Sequence, residues 1–455
     1  MKTFLPFGSP TQIQIYMSKS GDQLSYPKEN IKVLLLEGIH ETAIENFKKH
    51  QFLNIETYDI AFTEEELLEK IEDVQIIGIR SKTQLTKKVI EKASKLKAIG
   101  CFCIGTNQVD LEAAMKAGVT VFNSPYSNTR SVAELVIAEA IMLKRMIPLR
   151  DRKAHEGMWL KDATESYEVR GKNMGIVGYG HIGSQVSVLA ENMGFNVLYY
   201  DTEPKLPMGN ATRINSLEEL LNRSDIVTLH VPGNPTTKMM MDAERISQMK
   251  KGSVLLNLSR GSVVVVNALK EALETGHLSG AGIDVFPEEP ESKGDSFKTS
   301  LQNIPNVILT PHIGGSTIEA QYNIGVDVSS KLIALIDNGT TVGSHTVPPL
   351  NLPVQKNAHR ILHIHENKPG VLSEINQCLS DSDINILGQY LKTNEHIGYV
   401  VLDVDKEYDD ELIERMQNVN HKNQNTVLTI KQLNQLGLVA FLLQNSPFIF
   451  CQDNK

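Results

Sequence analysis

Short apolar runs alternate with amphipathic segments along most of this 455-residue chain, and that alternation limits the folds open to it. In the first third, the runs at 32–36, 75–79, 96–100 and 119–122 predict buried strands. A second series predicts six more strands, at 174–177, 196–200, 226–229, 254–257, 281–284 and 307–309. Strands that alternate with helices pair in parallel and carry helices on both faces. The sequence therefore predicts an α/β protein with two doubly wound parallel sheets.

The helices follow the same pattern until the two prolines Pro348 and Pro349. Helical segments are predicted at 41–49, from a capping box at Ser131-Val132-Ala133-Glu134 to about Pro148, and at 316–336. Beyond the prolines, strands at 360–365, 385–392 and 397–404 and helices at 370–379 and 409–416 form a βαββα unit. This small α+β unit is one strand short of the split βαβ arrangement, and residues 427–430 are a candidate for that strand.

Composition excludes several classes of function. The length predicts about three domains, and 41% hydrophobic with 22% charged residues is typical of an ordinary globular protein. A formal net charge of -9 argues against general binding to nucleic acid or to an acidic membrane. The four cysteines lack zinc-type spacing, and no run approaches the roughly 18 apolar residues of a membrane span. A cytoplasmic protein without a bound metal is the expectation.

A glycine-rich turn, Gly178-Tyr179-Gly180-His181-Ile182-Gly183, follows one predicted strand and opens a helix. In such turns the first glycine permits the tight turn, the second lets a pyrophosphate approach, and the third lets helix and strand pack closely. Asp201 ends the next strand, 18 residues beyond Gly183, where a carboxylate accepts the ribose hydroxyls of NAD and repels the 2′-phosphate of NADP. The plainer alternative is a structural turn followed by a solvated Asp, but this context favours NAD.

Arg260, Glu289 and His312 each follow a predicted strand of the second series, where open α/β sheets bind ligands. Taken singly, each has an ordinary alternative: a surface Arg, a charged loop, or a packed or exposed His. Together they match the chemistry of a hydroxy acid. His serves as base for the hydroxyl proton, the carboxylate orients the imidazole, and the Arg fork holds the substrate carboxylate.

These segments resemble those of the D-isomer-specific 2-hydroxyacid dehydrogenases. The similarity rests on the glycine turn with Asp201 and on the segments 259–261, 284–289 and 311–315. Two longer segments, 99–110 and 123–134, resemble the class of this family that oxidises 3-phosphoglycerate with NAD and carries a carboxyl-terminal ACT domain. The similarity covers about residues 31 to 416. It implies two Rossmann-like or flavodoxin-like domains, a ferredoxin-like ACT domain, and an enzyme of serine biosynthesis.

The resemblance assigns roles to individual positions. Arg260, Glu289 and His312 match the catalytic residues. The positions that line NAD are matched by Gly178, Gly180, His181, Ile182, Gly183, Asp201, Leu258, Ser259, Asp284, Ile313, Gly314 and Gly315. The substrate-binding positions are matched by Arg80, Ser81, Asn128 and Gln321. The positions that bind the effector serine at a subunit interface are matched by His365, Asn367 and Asn385. A homotetramer is implied by resemblance alone.

The expected domain boundaries follow from these assignments. They are an amino-terminal extension at 1–30, a substrate domain at 31–127 and 315–348, an NAD domain at 128–314, a linker at 349–358, an ACT domain at 359–431 and a tail at 432–455. The tail does not match the family's ending, which leaves serine regulation open. A side activity on 2-hydroxyglutarate or 2-oxoglutarate, another 2-hydroxyacid dehydrogenase such as a glyoxylate or hydroxypyruvate reductase, and a nucleotide-sensing binding protein remain alternatives.

Overall fold

The computed structural model describes residues 27–290, 294–353, 358–417, 419 and 422–431, so most of the predicted extension and all of the predicted tail lie outside it. The strands are Val33–Leu35 (β1), Ile55–Thr57 (β2), Ile76–Ile79 (β3), Ala98–Cys101 (β4), Thr120–Asn123 (β5), Asn173–Val177 (β6), Asn196–Tyr200 (β7), Thr212–Arg213 (β8), Ile226–Leu229 (β9), Ser253–Asn257 (β10), Leu278–Ile283 (β11), Val307–Leu309 (β12), His359–Glu366 (β13), Ile386–Thr393 (β14), Ile397–Val404 (β15) and Lys422–Lys431 (β16).

The α-helices are Glu41–Lys49 (α1), Glu64–Lys70 (α2), Lys87–Lys92 (α3), Leu111–Lys116 (α4), Thr129–Lys144 (α5), Ile147–His155 (α6), His181–Asn192 (α7), Leu217–Arg223 (α8), Ala243–Ser247 (α9), Val266–Glu274 (α10), Ile318–Asn338 (α11), Val371–Asp381 (α12) and Asp410–Gln417 (α13). Among the helices that the structure describes, none combines the length and apolar character that crossing a bilayer requires.

The first sheet has five parallel strands in the order β2-β1-β3-β4-β5. Strands β1, β3, β4 and β5 are fully buried, as expected for a parallel sheet covered on both faces. The sequence prediction missed edge strand β2, in which two residues are partly buried, one is exposed and no apolar run is present. The order of the strands is that of a doubly wound flavodoxin-like sheet.

The second sheet has seven parallel strands in the order β12-β11-β10-β9-β6-β7-β8. All six strands predicted from the second series are present, and the two-residue strand β8 adds one at the edge beside β7. The prediction of a six-stranded sheet was therefore wrong, because it missed β8. This exposed strand is too short to give a periodic pattern. The chain order reverses between β6 and β9, which creates the crevice where dinucleotides bind in this topology.

The helix that connects the two sheets begins earlier than its predicted capping box. Helix α5 starts at Thr129, with Asn128 as its N-cap, and no side-chain capping bond is present. The Ser131 hydroxyl instead lies 2.8 Å from the Thr317 hydroxyl, and Glu134 pairs with Arg130. The helix ends at Lys144, and Pro148 lies in the first turn of the separate helix α6. Both the capping box and the single long helix were wrong.

The carboxyl-terminal unit is a four-stranded antiparallel sheet in the order β14-β15-β13-β16, with helices α12 and α13. Strand β16 therefore completes the βαββαβ arrangement that the sequence pattern left one strand short. It pairs with β13 from His359 to His365 and is longer than the candidate segment 427–430.

Two buried polar side chains join this third sheet to the end of helix α11. The Arg360 guanidinium forms two hydrogen bonds with Asp403, 2.6 and 2.8 Å long, and also donates to the carbonyls of Asn338 and Pro353. The Tyr399 hydroxyl donates to the Gly339 carbonyl at 2.6 Å. The small sheet is thus held directly against the carboxyl end of a helix whose other end lies at the junction of the two large sheets.

Candidate active site

Three neighbouring strands bring the predicted catalytic residues to one edge of the second sheet. Strand β10 pairs with β11, and β11 with β12, all in parallel, so their carboxyl ends meet at the same edge. Arg260 follows β10, Glu289 follows β11, and His312 follows β12. Sequence positions as far apart as 52 residues therefore share one loop cluster.

His312 and Glu289 are in direct contact. The distance between Nδ1 of His312 and Oε2 of Glu289 is 2.7 Å, and the other Glu289 oxygen accepts a hydrogen bond from the Phe286 N–H at 2.9 Å. Because Nδ1 is engaged by the carboxylate, Nε2 of His312 is the ring nitrogen left for a substrate proton.

The same contact shifts the protonation equilibria of both groups. The hydrogen bond that His312 donates to Glu289 is the largest effect on His312 and raises the pKa of the imidazole, against the opposing effect of its burial. Burial alone would raise the pKa of Glu289, but the hydrogen bonds from His312 and the Phe286 N–H outweigh it, and the pKa of Glu289 is lowered. A carboxylate that stays ionised beside an imidazole of raised basicity is suited to proton abstraction.

Asp284 fixes the loop that carries His312. Its carboxylate accepts hydrogen bonds from the N–H groups of Ile313 and Gly314, each at 2.8 Å, and from the Thr310 hydroxyl at 2.7 Å. Its carbonyl accepts the N–H of His312 at 2.8 Å. His312 itself has φ +55, a left-handed conformation that costs a non-glycine residue energy and that these bonds maintain.

The Arg260 loop is held against the loop after β11. A Cβ atom on Gly261 would collide with the backbone of Phe286 and Pro287, so only glycine permits this approach. Asn257, at the end of β10, donates to the Arg260 carbonyl at 3.0 Å and accepts from the Ser259 hydroxyl at 2.8 Å. The Arg260 side chain remains largely exposed and donates one bond to the Ser259 carbonyl.

The glycine turn has the shape that a dinucleotide requires. Gly178 has φ +91 and lies against the His230 carbonyl, and Gly183 lies against the Gly178 carbonyl, so neither has room for a side chain. At Gly180, by contrast, nothing lies within 4 Å of the place a Cβ would occupy. That space, at the amino end of the 12-residue helix α7, suits the close approach of a pyrophosphate.

Comparison with known proteins identifies the family. The D-3-phosphoglycerate dehydrogenase of Escherichia coli strain K12 is 53% identical over 387 residues, which are 85% of this chain and 94% of that protein. The enzyme of the same name from Haemophilus influenzae is 50% identical over 88% of this chain and 97% of its own length. This chain belongs to the D-3-phosphoglycerate dehydrogenases. They form part of the wider family whose model, D-isomer specific 2-hydroxyacid dehydrogenase, NAD binding domain, matches residues 137–314.

Two further comparisons agree with this assignment. The solved structure of D-2-hydroxyisocaproate dehydrogenase superposes with a TM-score of 0.63 at 26% identity, covering 70% of this chain and all of that one. The model of the ACT domain found in proteins like the small subunit of AHAS matches residues 361–436. The chain is thus an NAD-dependent enzyme with an ACT domain, as the sequence predicted.

The predicted NAD residues surround the glycine turn and the catalytic edge. Asp201 lies beside the turn. Its two carboxylate oxygens accept hydrogen bonds from the N–H groups of Tyr179 and Glu203, at 2.8 and 2.9 Å. Leu258 and Ser259 are buried after β10, whereas Ile313 is 43% exposed beside His312. His181 and Ile182 begin helix α7, and the His181 ring lies 3.8 Å from that of Tyr126, between ring centroids. These residues fit NAD.

The predicted substrate residues lie on the first sheet and at the junction. Arg80 and Ser81 follow β3 at the carboxyl edge of the first sheet. Asn128 is buried, its Oδ1 has no hydrogen-bond partner, and its amide lies against Gly315. Gln321 lies in the first turn of α11, partly exposed. Asn128, a predicted substrate residue, thus contacts Gly315, a predicted cofactor residue.

The three predicted effector residues do not come together within one chain. His365 is buried on β13 with Nδ1 unpartnered, and Asn367 just beyond it donates to the Asn394 carbonyl. Asn385 precedes β14 and lies beside Asp405, at the opposite end of the sheet. Strand β15 spans the two ends, and its six steps from Gly398 to Val404 separate them by about 20 Å.

Sequence reasoning missed two acidic residues near the predicted substrate and catalytic loops. Glu37 follows β1 and contacts the Arg80 loop, and Glu139 is buried in α5, where neither carboxylate oxygen has a partner. Burial, together with the negative charge of Asp284, raises the pKa of Glu139 to about 8. The one sequence signal for Glu139 was an acid on the apolar face of a helix.

Proposed function

We propose that this protein oxidises 3-phospho-D-glycerate to 3-phosphohydroxypyruvate with NAD, the first step of serine biosynthesis. The hydrogen bond between His312 and Glu289, on the same sheet edge as Arg260 and in the same sheet as the dinucleotide turn, carries this proposal. The names of the relatives supply the substrate, because both of the enzymes compared above are D-3-phosphoglycerate dehydrogenases.

Each residue has a distinct task in the proposed reaction. Nε2 of His312 takes the proton of the C2 hydroxyl as the C=O bond forms, and Glu289 holds the resulting imidazolium. The Arg260 guanidinium holds the substrate carboxylate through two parallel hydrogen bonds. Bound NAD would supply the acceptor for the hydrogen that leaves C2 with its electron pair. The products are the 2-oxo acid, NADH and one proton.

Recognition of the phosphate falls to the first sheet in this proposal. Arg80 and Ser81 offer a guanidinium and a hydroxyl at the end of β3, and Asn128 and Gln321 add amide groups at the junction. A phosphate monoester carries nearly two negative charges at neutral pH, so a charged fork at this place favours a phosphorylated acid over an unphosphorylated one.

We propose further that serine regulates the enzyme through the ACT domain and that the enzyme is a homotetramer. His365 and Asn367 lie about 20 Å from Asn385 in one chain, so an effector site made of all three requires a second chain. The asparagines can bond the carboxylate and amine of an amino acid. The cytoplasmic location and the side activity on 2-oxoglutarate stay predictions.

The domain boundaries given above are part of the same proposal. Residues 31–127 and 315–348 form the substrate domain, 128–314 the NAD domain, 349–358 the linker and 359–431 the ACT domain, preceded by the extension at 1–30 and followed by the tail at 432–455. The first sheet, the second sheet and the small antiparallel sheet each lie within one of these units.

The direct test is the appearance of NADH with 3-phosphoglycerate, with and without added serine. We expect turnover of this substrate to exceed that of glycerate, lactate and 2-hydroxyglutarate, and NAD to be preferred to NADP. Faster turnover of an unphosphorylated acid would favour another activity within the family. NADH binding without turnover of any of these acids would favour a nucleotide-sensing protein.

A further inference from the structure

The carboxylate of Glu37 is bonded to four consecutive backbone N–H groups of the loop that carries Arg80. One oxygen accepts from Arg80 at 3.1 Å and from Thr83 at 2.9 Å, and the other from Ser81 at 3.1 Å and from Lys82 at 3.0 Å. Glu37 is 8% exposed. The whole backbone of the loop is therefore fixed by one buried side chain.

The order of strands in the first sheet creates this contact. Strands β1 and β3 are neighbours in parallel, with Val33 opposite Ile76, so the residues that follow them meet at the same edge. Glu37 has φ +63, and this left-handed turn directs the chain away from the sheet while its side chain reaches the loop. The two partners are 43 residues apart in sequence.

A second buried side chain fixes the loop from the other direction. The amide of Gln108 donates to the Arg80 carbonyl at 2.6 Å, and Gln108 is 3% exposed. The Arg80 guanidinium makes one long bond, 3.4 Å, to the Glu37 carbonyl. The backbone of Arg80 is thus held on both sides, while most of its guanidinium donors are left for a ligand.

Consecutive N–H groups that converge on one point normally form a binding place for an anion. Here the Glu37 carboxylate fills that place. A substrate anion is consequently excluded from the backbone of the loop and must be bound by the side chains that project from it. This arrangement suits discrimination between substrates, because the planar Arg fork matches the geometry of a carboxylate or phosphate group.

We propose that Glu37 is a positioning residue for substrate recognition: it occupies the anion place formed by the N–H groups of residues 80–83 and so presents the Arg80 and Ser81 side chains to the phosphorylated acid. This inference rests on the proposed function, since it concerns the substrate of that site. Glu37 touches neither substrate nor cofactor and acts only through the loop.

Three variants separate this role from a merely structural one. Glu37→Gly removes the carboxylate and tolerates the left-handed backbone. Glu37→Gln keeps the size but turns an amide N–H group toward the N–H donors. Gln84→Ala is the matched control, because Gln84 is exposed and bonds the same loop, donating to the Lys82 carbonyl at 3.0 Å.

The measurements are kcat and KM for 3-phosphoglycerate, the Kd of NADH by fluorescence, and the melting temperature. For Glu37→Gly we expect KM to rise about tenfold to a hundredfold, with kcat within about twofold and the Kd of NADH unchanged. Formate is a small carboxylate that fits the vacated place, so adding it should lower the KM of Glu37→Gly part of the way back to the wild-type value. Formate should not lower the KM of Glu37→Gln, because the amide occupies that place.

Unchanged KM in Glu37→Gly would overturn the inference, as would a KM rise that formate does not reverse. Parallel losses of kcat, NADH affinity and melting temperature would also overturn it, because they indicate a structural tie alone. The Gln84→Ala control should behave as wild type. If wild type itself fails to oxidise 3-phosphoglycerate, the proposed function has failed instead, and the two results are distinguishable.

Discussion

Nδ1 of His312 lies 2.7 Å from Oε2 of Glu289, although the two residues stand on loops that follow different strands. Asp284 fixes the His312 loop through the N–H groups of Ile313 and Gly314, and the Phe286 N–H fixes the other Glu289 oxygen. The protein's own groups therefore hold the imidazole and the carboxylate in place. Holding a base in a fixed orientation lowers the cost of orienting it at the moment of reaction.

Replacing Glu289 should change the pH dependence of the reaction. Glu289 raises the pKa of His312, and in the proposed reaction the neutral imidazole accepts the substrate proton. Glu289→Gln lowers the pKa of His312, so the acidic limb of kcat/KM moves to lower pH while kcat falls about a hundredfold or more. The measurement is kcat/KM for 3-phosphoglycerate between pH 5.5 and about 9.

The neighbouring acid provides the control for that profile. Glu288 is exposed in the same loop, so Glu288→Gln should keep the wild-type profile. An acidic limb in Glu289→Gln that coincides with that of wild type would show that Glu289 does not govern the base.

Arg260→Lys tests the proposed bidentate binding of the substrate carboxylate by Arg260. Lysine keeps the positive charge but cannot make two parallel hydrogen bonds. We expect KM for 3-phosphoglycerate to rise about tenfold to a hundredfold, with the Kd of NADH unchanged. A lysine variant with wild-type KM would remove Arg260 from substrate binding.

The sequence predicted most of the two large sheets because their strands are short buried apolar runs. Strands such as β3 and β4 are apolar throughout and were predicted to within two residues at each end. Edge strands β2 and β8 carry no such pattern, because half of their surroundings is solvent. Local patterns therefore found the strands with an apolar run, including edge strands β5 and β12, and missed the two edge strands that lack one.

The sequence offered candidates for the catalytic residues, whereas it gave no sign of the residues that position the site loops. Arg260, Glu289 and His312 stand at strand ends in punctuated loops that a sequence pattern identifies. Glu37 contacts a loop more than 40 residues away, and that contact depends on β1 lying beside β3. The Ser131 hydroxyl likewise meets Thr317 across 186 residues instead of capping its own helix. Contacts of this kind follow from strand order, which the local pattern does not contain.

Glu139 should make the stability of the apoprotein depend on pH. Its pKa is raised from 4.5 to about 8, mainly by burial. Below pH 4.5 Glu139 is protonated in both the folded and the unfolded protein. Between pH 4.5 and about 8 only the unfolded chain releases the proton, so the free energy of unfolding falls as pH rises. Glu139→Gln should remove a loss of about 3–5 kcal/mol between these pH values.

Urea unfolding of the apoprotein at pH 5, 6.5 and about 8 measures this difference. Glu134→Gln is the control, because Glu134 is exposed on the same helix and pairs with Arg130. Parallel pH dependences for wild type and Glu139→Gln would contradict the prediction.

The buried pair of Arg360 and Asp403 should stabilise the ACT sheet on helix α11. Asp403→Ala leaves a guanidinium buried without its partner, which costs about 3–5 kcal/mol of unfolding free energy. Lys406→Ala removes an exposed ion pair with Asp383 and should lower the unfolding free energy far less, because water screens that pair. Urea unfolding of both variants measures the two losses of unfolding free energy. Equal losses would show that the buried pair stabilises the protein no more than the exposed pair does.

The measurement closest to the central claim is a double-mutant cycle on Glu289 and His312, with kcat for 3-phosphoglycerate as the readout. If the two residues act as one couple, His312→Asn loses about a hundredfold to ten-thousandfold in kcat, and adding Glu289→Gln costs almost nothing more. If the double variant instead loses the product of the two single losses in kcat, the residues act independently. That result would contradict the claim that the 2.7 Å contact joins them into one catalytic couple.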